Sequence, residues 1–189
     1  ASDVYKRQDK DKDSSYDESK ASTVKLSGSS ASVSGDGVAV SGSTVTISKA
    51  GTYVISGESD GVQIKVEAGD SDDVHIVLKG VTMTNTNAPI SATKAGHVYL
   101  TLADGTTNTL SDSSSNTDED ADAVIFSKGD LTINGSGTLN IDAKKNNGIK
   151  ANDTLHITGG TYKITAVGDA VNVNDELNIT GTTMTIDAN

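Results

Sequence analysis

The chain repeats itself, and this repeat constrains the fold more than any other feature of the sequence. The stretch NNGIKANDTLHITGGTYKITA starts at Asn146, GDAVNVNDELNITGTTMTIDA starts at Gly168, and a looser version starts at Asp122. A repeat of about 22–24 residues predicts a fold that is built by stacking one unit. Apolar residues of the three stretches align in five columns: Leu131, Leu155 and Leu177; Ile133, Ile157 and Ile179; Leu139, Tyr162 and Met184; Ile141, Ile164 and Ile186; Ile125, Ile149 and Val171.

Within each unit, apolar residues alternate with polar ones, which is the pattern of strands that are buried on one face. A sandwich or barrel needs turns but no fixed period, whereas a parallel β-solenoid needs one coil per period and like residues stacked between coils. The columns therefore predict an all-β fold, a right-handed parallel β-helix with about 22–24 residues per coil. Because residues 187–189 read like the start of another coil, we expect the domain to be truncated at its C-terminus.

The composition divides the chain into two segments. Residues 1–22 mix six acidic with five basic residues and contain few large apolar groups, so they are predicted to be a disordered polar tether. Residues 23–189 are predicted to form the β-helix domain. The chain has no cysteine and no run of 18 apolar residues, which excludes thiolate chemistry and a membrane-spanning helix. A lipid or cell-wall tether upstream of this segment stays open.

Three motifs, in order, resemble one known family. They are GTYVISG at residues 51–57, LADGTTNTLSD at residues 102–112, and the repeat unit from Ile125 onwards. Together they are similar to the bacterial surface family of carbohydrate-binding domain-containing proteins. The resemblance implies a parallel β-helix related in fold to calcium-dependent pectate lyases. It also implies an extracellular or cell-surface protein that binds acidic plant polysaccharide, chiefly polygalacturonate, and cellulose, with bound Ca²⁺.

A polar ladder precedes the first strand of each repeat unit. Asp122 aligns with Asn146, Asn147 aligns with Asp169, and Asp120 lies just upstream. Calcium takes about six to eight oxygen ligands, which carboxylates and amide carbonyls of successive coils can supply. These five residues are therefore candidate Ca²⁺ ligands. The structural alternative is an asparagine ladder that only satisfies backbone groups at the turns.

The net charge of −11 constrains the partner. No basic patch with interleaved aromatic residues is present, which disfavours nucleic acid. An acidic polysaccharide would be repelled too, unless Ca²⁺ bridges its carboxylates to those of the protein. Lys128, Lys145 and Lys150 lie near the ladder in the sequence and are candidate contacts for sugar carboxylates. The alternative for these lysines is exposed charge that keeps the protein soluble.

Other functions stay open on the sequence. A pectate-lyase-like enzyme needs calcium and a basic residue as general base, and Lys150 is the candidate, although acidic surroundings disfavour the neutral amine. A structural adhesin stalk needs no sugar site. His75, His97 and His156 are too dispersed in the sequence to predict a site. Phe126 is predicted to point outward, and so few aromatic residues make a poor platform for cellulose. We therefore expect a monomeric, non-catalytic binding domain.

Overall fold

The computed structural model describes residues 8–189 and shows an all-β protein, with 60% of its residues in strands and 4% in helices. Residues 8–12 are helical, and a 3-10 helix spans Glu18–Lys20. No helix within the described range is long and apolar enough to cross a membrane. The strands of residues 8–189 are, in chain order, β1 (Ser22–Gly28), β2 (Ser30–Ser34), β3 (Val38–Ser41), β4 (Thr44–Ile47), β5 (Gly51–Asp60), β6 (Gln63–Glu67), β7 (Asp73–Thr84), β8 (Ile90–Lys94), β9 (His97–Leu102), β10 (Thr107–Ser111), β11 (Ala123–Ser127), β12 (Asp130–Gly135), β13 (Thr138–Ala143), β14 (Asn147–Ala151), β15 (Thr154–Thr158), β16 (Thr161–Ala166), β17 (Val171–Val173), β18 (Glu176–Thr180) and β19 (Thr183–Ala188).

These strands form two sheets in which most pairings are parallel. The smaller sheet has seven strands in the order β17-β14-β11-β8-β6-β4-β3. The larger sheet has twelve strands and runs β18-β15-β12-β9-β7-β10-β13-β16-β19, with β1, β2 and β5 attached beside β7. The strand β7 lies in the middle because its first half pairs with β9 and its second half with β10. The larger sheet therefore curls into two columns of strands.

The chain runs through these columns in coils of three strands, one in the smaller sheet and two in the larger. The last three coils are β11–β13, β14–β16 and β17–β19, and each strand pairs in parallel with its equivalent in the next coil. This register confirms the five predicted columns, because Leu131 pairs with Leu155 and Leu155 with Leu177, and the other columns pair likewise. The inward residues form one continuous core, in which Leu155 and Ile157 are fully buried.

Upstream, one loop breaks the regular period. Ile90 of β8 pairs with Ile125 of β11, 35 residues later, because residues 112–122 form a loop between β10 and β11. Phe126 lies on the outward side of β11, as predicted, but it is only 3% exposed because it packs against Ala121 of this loop. The loop therefore covers part of the smaller sheet.

The two ends of the stacked core differ. At the first coil, β1 pairs with β2 and β3 pairs with β4 in antiparallel register, and Val33 and Val38 pack against the core. At the last coil, the side chains of the same apolar columns are more open, with Leu177 44%, Ile179 41% and Ile186 52% exposed. The antiparallel hairpins thus cover the core at its first coil.

A glycine turn separates the two larger-sheet strands of each repeat unit. Gly135, Gly159 and Gly181 occupy this turn, and all have positive φ, between 63° and 93°. At Gly135, an added β-carbon would lie 2.2 Å from the carbonyl oxygen of Leu102 in the preceding coil. Glycine is thus needed both for the backbone conformation and for the close approach of the coils.

Residues 8–21, which we call the cover segment, lie across the outward side of the larger sheet. The outward side chains of β7, β9, β12 and β15 form the surface beneath them, which we call the covered face. Glu18 pairs with Lys79 of β7 at 2.8 Å, and Asp11 is only 1% exposed. The structure differs here from the disordered tether predicted over residues 1–22, of which residues 1–7 lie outside the described part of the chain. Composition misled because hydrogen bonds to the sheet, rather than apolar burial, hold this segment.

Candidate functional site

The predicted polar ladder lies at one corner of the coils, where the chain enters the smaller sheet. Asp122 precedes β11, Asn146 and Asn147 lie at the start of β14, and Asp169 precedes β17. The side-chain amide of Asn146 donates to the Asp122 carboxylate at 2.5 Å, and that of Asn147 donates at 3.5 Å. The backbone N–H of Asp169 donates to the side-chain oxygen of Asn147 at 3.2 Å. We call these four residues, with Lys150 of β14, the ladder corner.

Lys150 supplies the positive charge of the ladder corner. Its ammonium lies 2.7 Å from a carboxylate oxygen of Asp122 and 3.1 Å from the backbone oxygen of Asp120. The side chains of the ion pair are 20% and 19% exposed. Burial raises the pKa of Asp122, but hydrogen bonds from Lys150 and Asn146 outweigh burial and hold that pKa below its ordinary value. The Asp122 carboxylate is therefore ionised and already neutralised by a lysine.

The ladder corner does not fit a calcium ion as it stands. Lys150 holds the position beside Asp122 that a cation would take, and Asp120 offers its backbone oxygen to the same ammonium. The carboxylate of Asp169 accepts a hydrogen bond from Asn172 at 2.8 Å. Among residues 8–189, no group of three or more His, Cys, Asp or Glu side chains is arranged to hold a metal. The geometry matches the structural alternative, in which carboxylates and amides satisfy one another at the turns.

Lys145 approaches the same corner through its backbone. The backbone N–H of Lys145 donates to the carboxylate of Asp112 at 3.4 Å. The backbone N–H of Lys144 donates to the same carboxylate at 2.7 Å. Asp112 is 3% exposed, and burial raises its pKa despite these hydrogen bonds and another from Asn116. The sequence did not single out Asp112, because nothing in its local pattern separates a buried loop aspartate from an exposed one.

Lys128 lies at a different corner, where the chain leaves the smaller sheet. It lines an open groove of about 480 Å³ together with Lys94. These two lysines occupy successive coils, since β8 ends at Lys94 and β11 ends one residue before Lys128. Asp70 and Asp153 line the same groove, and the Lys94 ammonium lies 3.8 Å from a carboxylate oxygen of Asp70. The three predicted lysines therefore lie at two separate places.

The three histidines of the chain lie on the covered face, on the strands β7, β9 and β15. His75, Tyr99, Thr132 and His156 are register partners in one row across β7, β9, β12 and β15. The ring of His97 stacks on Tyr99, with ring centroids 4.1 Å apart. Spacing along the sequence predicted no histidine site, yet neighbours in this row are only one coil apart. The signal that could have found His75 and His156 was their outward position at equivalent places in the coils, whereas His97 lies two residues before Tyr99 on the same side of β9.

The cover segment meets this row directly. The hydroxyl of Thr132 donates to one carboxylate oxygen of Asp11 at 2.7 Å, and Nδ1 of His156 lies 3.2 Å from the other. The ammonium of Lys10 lies 5.0 Å from the centre of the Tyr99 ring, which is 7% exposed. The cover segment therefore occupies the ring surface and the hydrogen-bond donors that face outward from the sheet.

Residues 41–189 match the sequence profile of a family described as carbohydrate-binding domain-containing protein. The chain belongs to this carbohydrate-binding family. A relative in Acetivibrio thermocellus with the same description is 43% identical over 63 residues, a match that covers 33% of this chain and 22% of the relative. A solved structure of a polysaccharide lyase-like protein from C. thermocellum, a gadolinium derivative, is 32% identical to this chain. It superposes with a TM-score of 0.78, covering 89% of this chain and 82% of that one.

The carbohydrate-binding family resemblance found in the sequence is thereby confirmed. The ladder corner, the groove at Lys128 and the covered face all lie within the matched residues 41–189. The cover segment precedes the matched region. Its contacts are thus additional to the part of the chain that the family shares.

Proposed function

We propose that this chain is a right-handed parallel β-helix that binds acidic polysaccharide such as polygalacturonate, without catalysis, at the bacterial cell surface or outside the cell. Membership of the carbohydrate-binding family supports a saccharide ligand. One observation carries the choice of an acidic ligand: Lys94 and Lys128 follow one another on successive coils and line one open groove, where a sugar carboxylate would replace Asp70 as the partner of Lys94. The chain would bind there as a monomer.

The groove suits a ligand that is itself a chain. Paired strands lie about 4.8 Å apart, so groups on successive coils repeat along the coil axis at a spacing of that order. A polyuronate carries a carboxylate on each sugar and can present successive carboxylates to both lysines. Each exposed ion pair contributes at most about 1 kcal/mol, so useful affinity requires several contacts along the polymer. The net charge of −11 opposes the ligand elsewhere, which confines binding to this groove.

This mode of binding places no calcium ion at the ladder corner. Lys150 already neutralises Asp122, the carboxylate that the candidate ligands Asn146 and Asn147 also contact, and the Asp169 carboxylate is bound to Asn172. The Ca²⁺ dependence implied by the family resemblance stays a prediction. It is read from the same binding experiment, performed once with Ca²⁺ and once with EDTA.

Cellulose is the less favoured ligand. A neutral sugar chain binds best to a row of exposed aromatic rings. Tyr53 and Tyr162 belong to the core and are each 1% exposed, Phe126 is 3% exposed, and Tyr99 lies beneath the cover segment. Within residues 8–189, no open row of rings is therefore available for stacking.

A polysaccharide lyase is the second candidate, favoured by the similarity to a polysaccharide lyase-like protein. Its base would be Lys150, whose ammonium is held by Asp122 at 2.7 Å. A general base must reach the proton that it removes, whereas this nitrogen is engaged with Asp122 and with the backbone oxygen of Asp120. Unsaturated uronide products absorb ultraviolet light, so a steady rise in absorbance with polygalacturonate would establish the lyase and contradict the non-catalytic proposal.

Titration calorimetry with oligogalacturonate tests the binding proposal. We expect the double variant Lys94→Ala/Lys128→Ala to weaken binding by about tenfold, which corresponds to about 1.4 kcal/mol. The matched control is Lys25→Ala, which removes an exposed lysine from β1, away from the groove. Absence of heat for the unmodified protein both with Ca²⁺ and with EDTA would refute the proposal. Equal affinity of the double variant and the control would move the site away from this groove.

A further inference from the structure

We propose that the covered face is a second binding surface for an acidic sugar, and that the cover segment occupies it in place of the ligand. In this arrangement the Asp11 carboxylate stands where a uronate carboxylate would bind. The inference rests on the proposed function for the class of ligand, but it concerns a different surface. It assigns a role to the three histidines and to a segment that lies before the family match.

The covered face has the two kinds of group with which proteins bind sugars. The stacked rings of Tyr99 and His97 offer a flat surface beside a third ring, His75, which is the register partner of Tyr99. Thr132 and Asn134 lie between β9 and β15 and are fully buried, so their polar atoms require partners. Rings for stacking and a few fixed polar groups for orientation are what a saccharide site combines.

The hydrogen bonds of this face run in a direction that requires an acceptor, such as a carboxylate, at the position of Asp11. Thr132 has one hydroxyl proton, and it goes to the Asp11 carboxylate at 2.7 Å. The contact of 2.8 Å between Thr132 and Nε2 of His97 therefore has the histidine as donor. His97 thus donates to Thr132, and Thr132 donates outward to a carboxylate. A neutral donor at the position of Asp11 would break this series.

The Asp11 carboxylate is buried but incompletely satisfied. Its second oxygen has no hydrogen bond, and its neighbour of opposite charge is His156, at 3.2 Å, when that ring is protonated. The backbone oxygen of Asp11 accepts from Asn134 at 3.1 Å and from Thr158 at 2.8 Å. The backbone contacts position the segment. The carboxylate is buried with one oxygen lacking a hydrogen bond, which costs free energy that an anion with both oxygens bonded would not lose.

The rest of the cover segment blocks the rings. Lys10 pairs with Asp73 and holds its ammonium over Tyr99, and Tyr16 packs edge-on against His75 with ring centroids 6.4 Å apart. An open groove of about 270 Å³ lies beside the buried Asp11. Its lining residues come from the segment and from β15 and β18: Gln8, Asp11, Lys12, His156, Thr158, Glu176, Asn178 and Thr180. A sugar carboxylate entering there meets the Asp11 position first.

A ligand must displace the cover segment to bind, so its apparent affinity is reduced by the fraction of molecules in which the face is open. Removing the anchor should raise that affinity. We expect Asp11→Ala to open the segment and to strengthen binding of tri-galacturonate by about tenfold, corresponding to the loss of one charged hydrogen bond. Asp9→Ala is the matched control, because Asp9 is an exposed carboxylate in the same helical residues 8–12.

The experiment uses the full chain with the substitutions Lys94→Ala and Lys128→Ala already in place, so that heat from the first groove is removed. Calorimetry measures tri-galacturonate binding with and without Asp11→Ala, and hydrogen exchange of residues 8–21 reports opening. Thr132→Val, added to Asp11→Ala, should abolish the gained affinity. If Asp11→Ala alone leaves the segment protected, Lys10→Ala is added to release the second anchor.

Gained binding that Thr132→Val removes supports the proposal. An open segment without gained binding overturns it, and so does a segment that stays protected in the Lys10→Ala/Asp11→Ala variant. If the unmodified chain, which keeps Lys94 and Lys128, still binds oligogalacturonate, the proposed function stands even when the proposal for the covered face fails. If only the variants with an opened cover segment bind, binding at the groove of Lys94 and Lys128 is refuted and binding at the covered face is supported.

Discussion

The ladder corner and the covered face are both polar surfaces of the same coils, but they are completed in different ways. At the ladder corner, Asn146 and Lys150 reach Asp122 from the next coil, 24 and 28 residues along the chain. On the covered face, the carboxylate that satisfies Thr132 belongs to Asp11, 121 residues away in the sequence. One surface is complete within the repeat, whereas the other depends on a segment outside it.

This difference separates what stacking alone can provide from what it cannot. Stacking places like positions of successive coils next to each other, so a carboxylate and a lysine at neighbouring positions can pair without further help. On the covered face, stacking leaves the hydroxyl of Thr132 and the side-chain amide of Asn134 with donors directed away from the sheet, toward Asp11 and Asp13. A segment or a ligand that brings acceptors is then required.

The largest expected effect on the free energy of unfolding comes from replacing Asn134 of the covered face. This buried side chain accepts from Thr101 at 2.5 Å and donates to the backbone oxygens of Asp11 and Asp13 at 3.1 and 3.0 Å. Asn134→Ala leaves these buried groups without partners, and we expect it to lower the free energy of unfolding by about 2–4 kcal/mol. Urea denaturation followed by circular dichroism measures this change.

The control for that change is Asn140→Ala, which removes an amide from the neighbouring strand β13 at a partly exposed position. We expect its effect to be about 0.5 kcal/mol or less. Equal losses for the two variants would mean that the cover segment gains nothing from Asn134, and the contrast between the two surfaces would fail.

A smaller effect is expected at the ladder corner. Lys150→Ala removes the cation from a pair whose side chains are about four-fifths buried. We expect a loss of about 1–2 kcal/mol, between the values typical of exposed and of fully buried pairs. The pKa of Asp122 should rise in this variant, because burial then acts with only the amide hydrogen bonds against it. Carbon-detected NMR titration of Asp122 measures that rise.

Lys163→Ala is the matched control for Lys150, since it removes an exposed lysine from β16, the outer strand of the same coil. Its effect on both quantities should be negligible. A titration of Asp122 that does not change in Lys150→Ala would show that the amides alone hold this carboxylate in its charged form, which would reopen the position to a metal ion.

The fold could be predicted from the sequence because the apolar residues that determine it recur at a regular spacing. Column residues such as Leu131 and Ile149 recur at nearly constant spacing, and each pairs with its predicted partner. The loop of residues 112–122 escaped this reading because an insertion carries no period. Its burial of Asp112 and its cover over Phe126 depend on the path of the loop rather than on local pattern.

The site was predicted less completely, for a physical reason. The residues of the ladder were correctly brought together, since their spacing equals the repeat, but the identity of the cation followed from a resemblance. The structure pairs Asp122 with Lys150, a residue that the sequence had assigned to the sugar. Asp11 could not be found, because a polar segment is read as a tether unless its partners across the fold are known.

The smallest expected effect is a pH dependence that should appear at the covered face and not at the ladder corner. Burial lowers the pKa of His75 below its ordinary value of 6.5, although the nearby charge of Asp13 opposes this. The unfolded chain therefore takes up a proton at higher pH than the folded one. The free energy of unfolding should fall as the pH decreases through about 6.5, since the unfolded state then binds more protons.

The contribution of Asp122 to the free energy of unfolding does not change in this pH range. Its pKa is lowered from 3.8, so that contribution is lost only at still lower pH. Urea denaturation between about pH 7.5 and about pH 5.5 thus measures the contribution of His75. His75→Gln keeps a donor toward Thr101, 2.6 Å from the histidine nitrogen, but removes the titration, and it should flatten the slope. An unchanged slope in this variant would remove His75 from the account of how the segment is held.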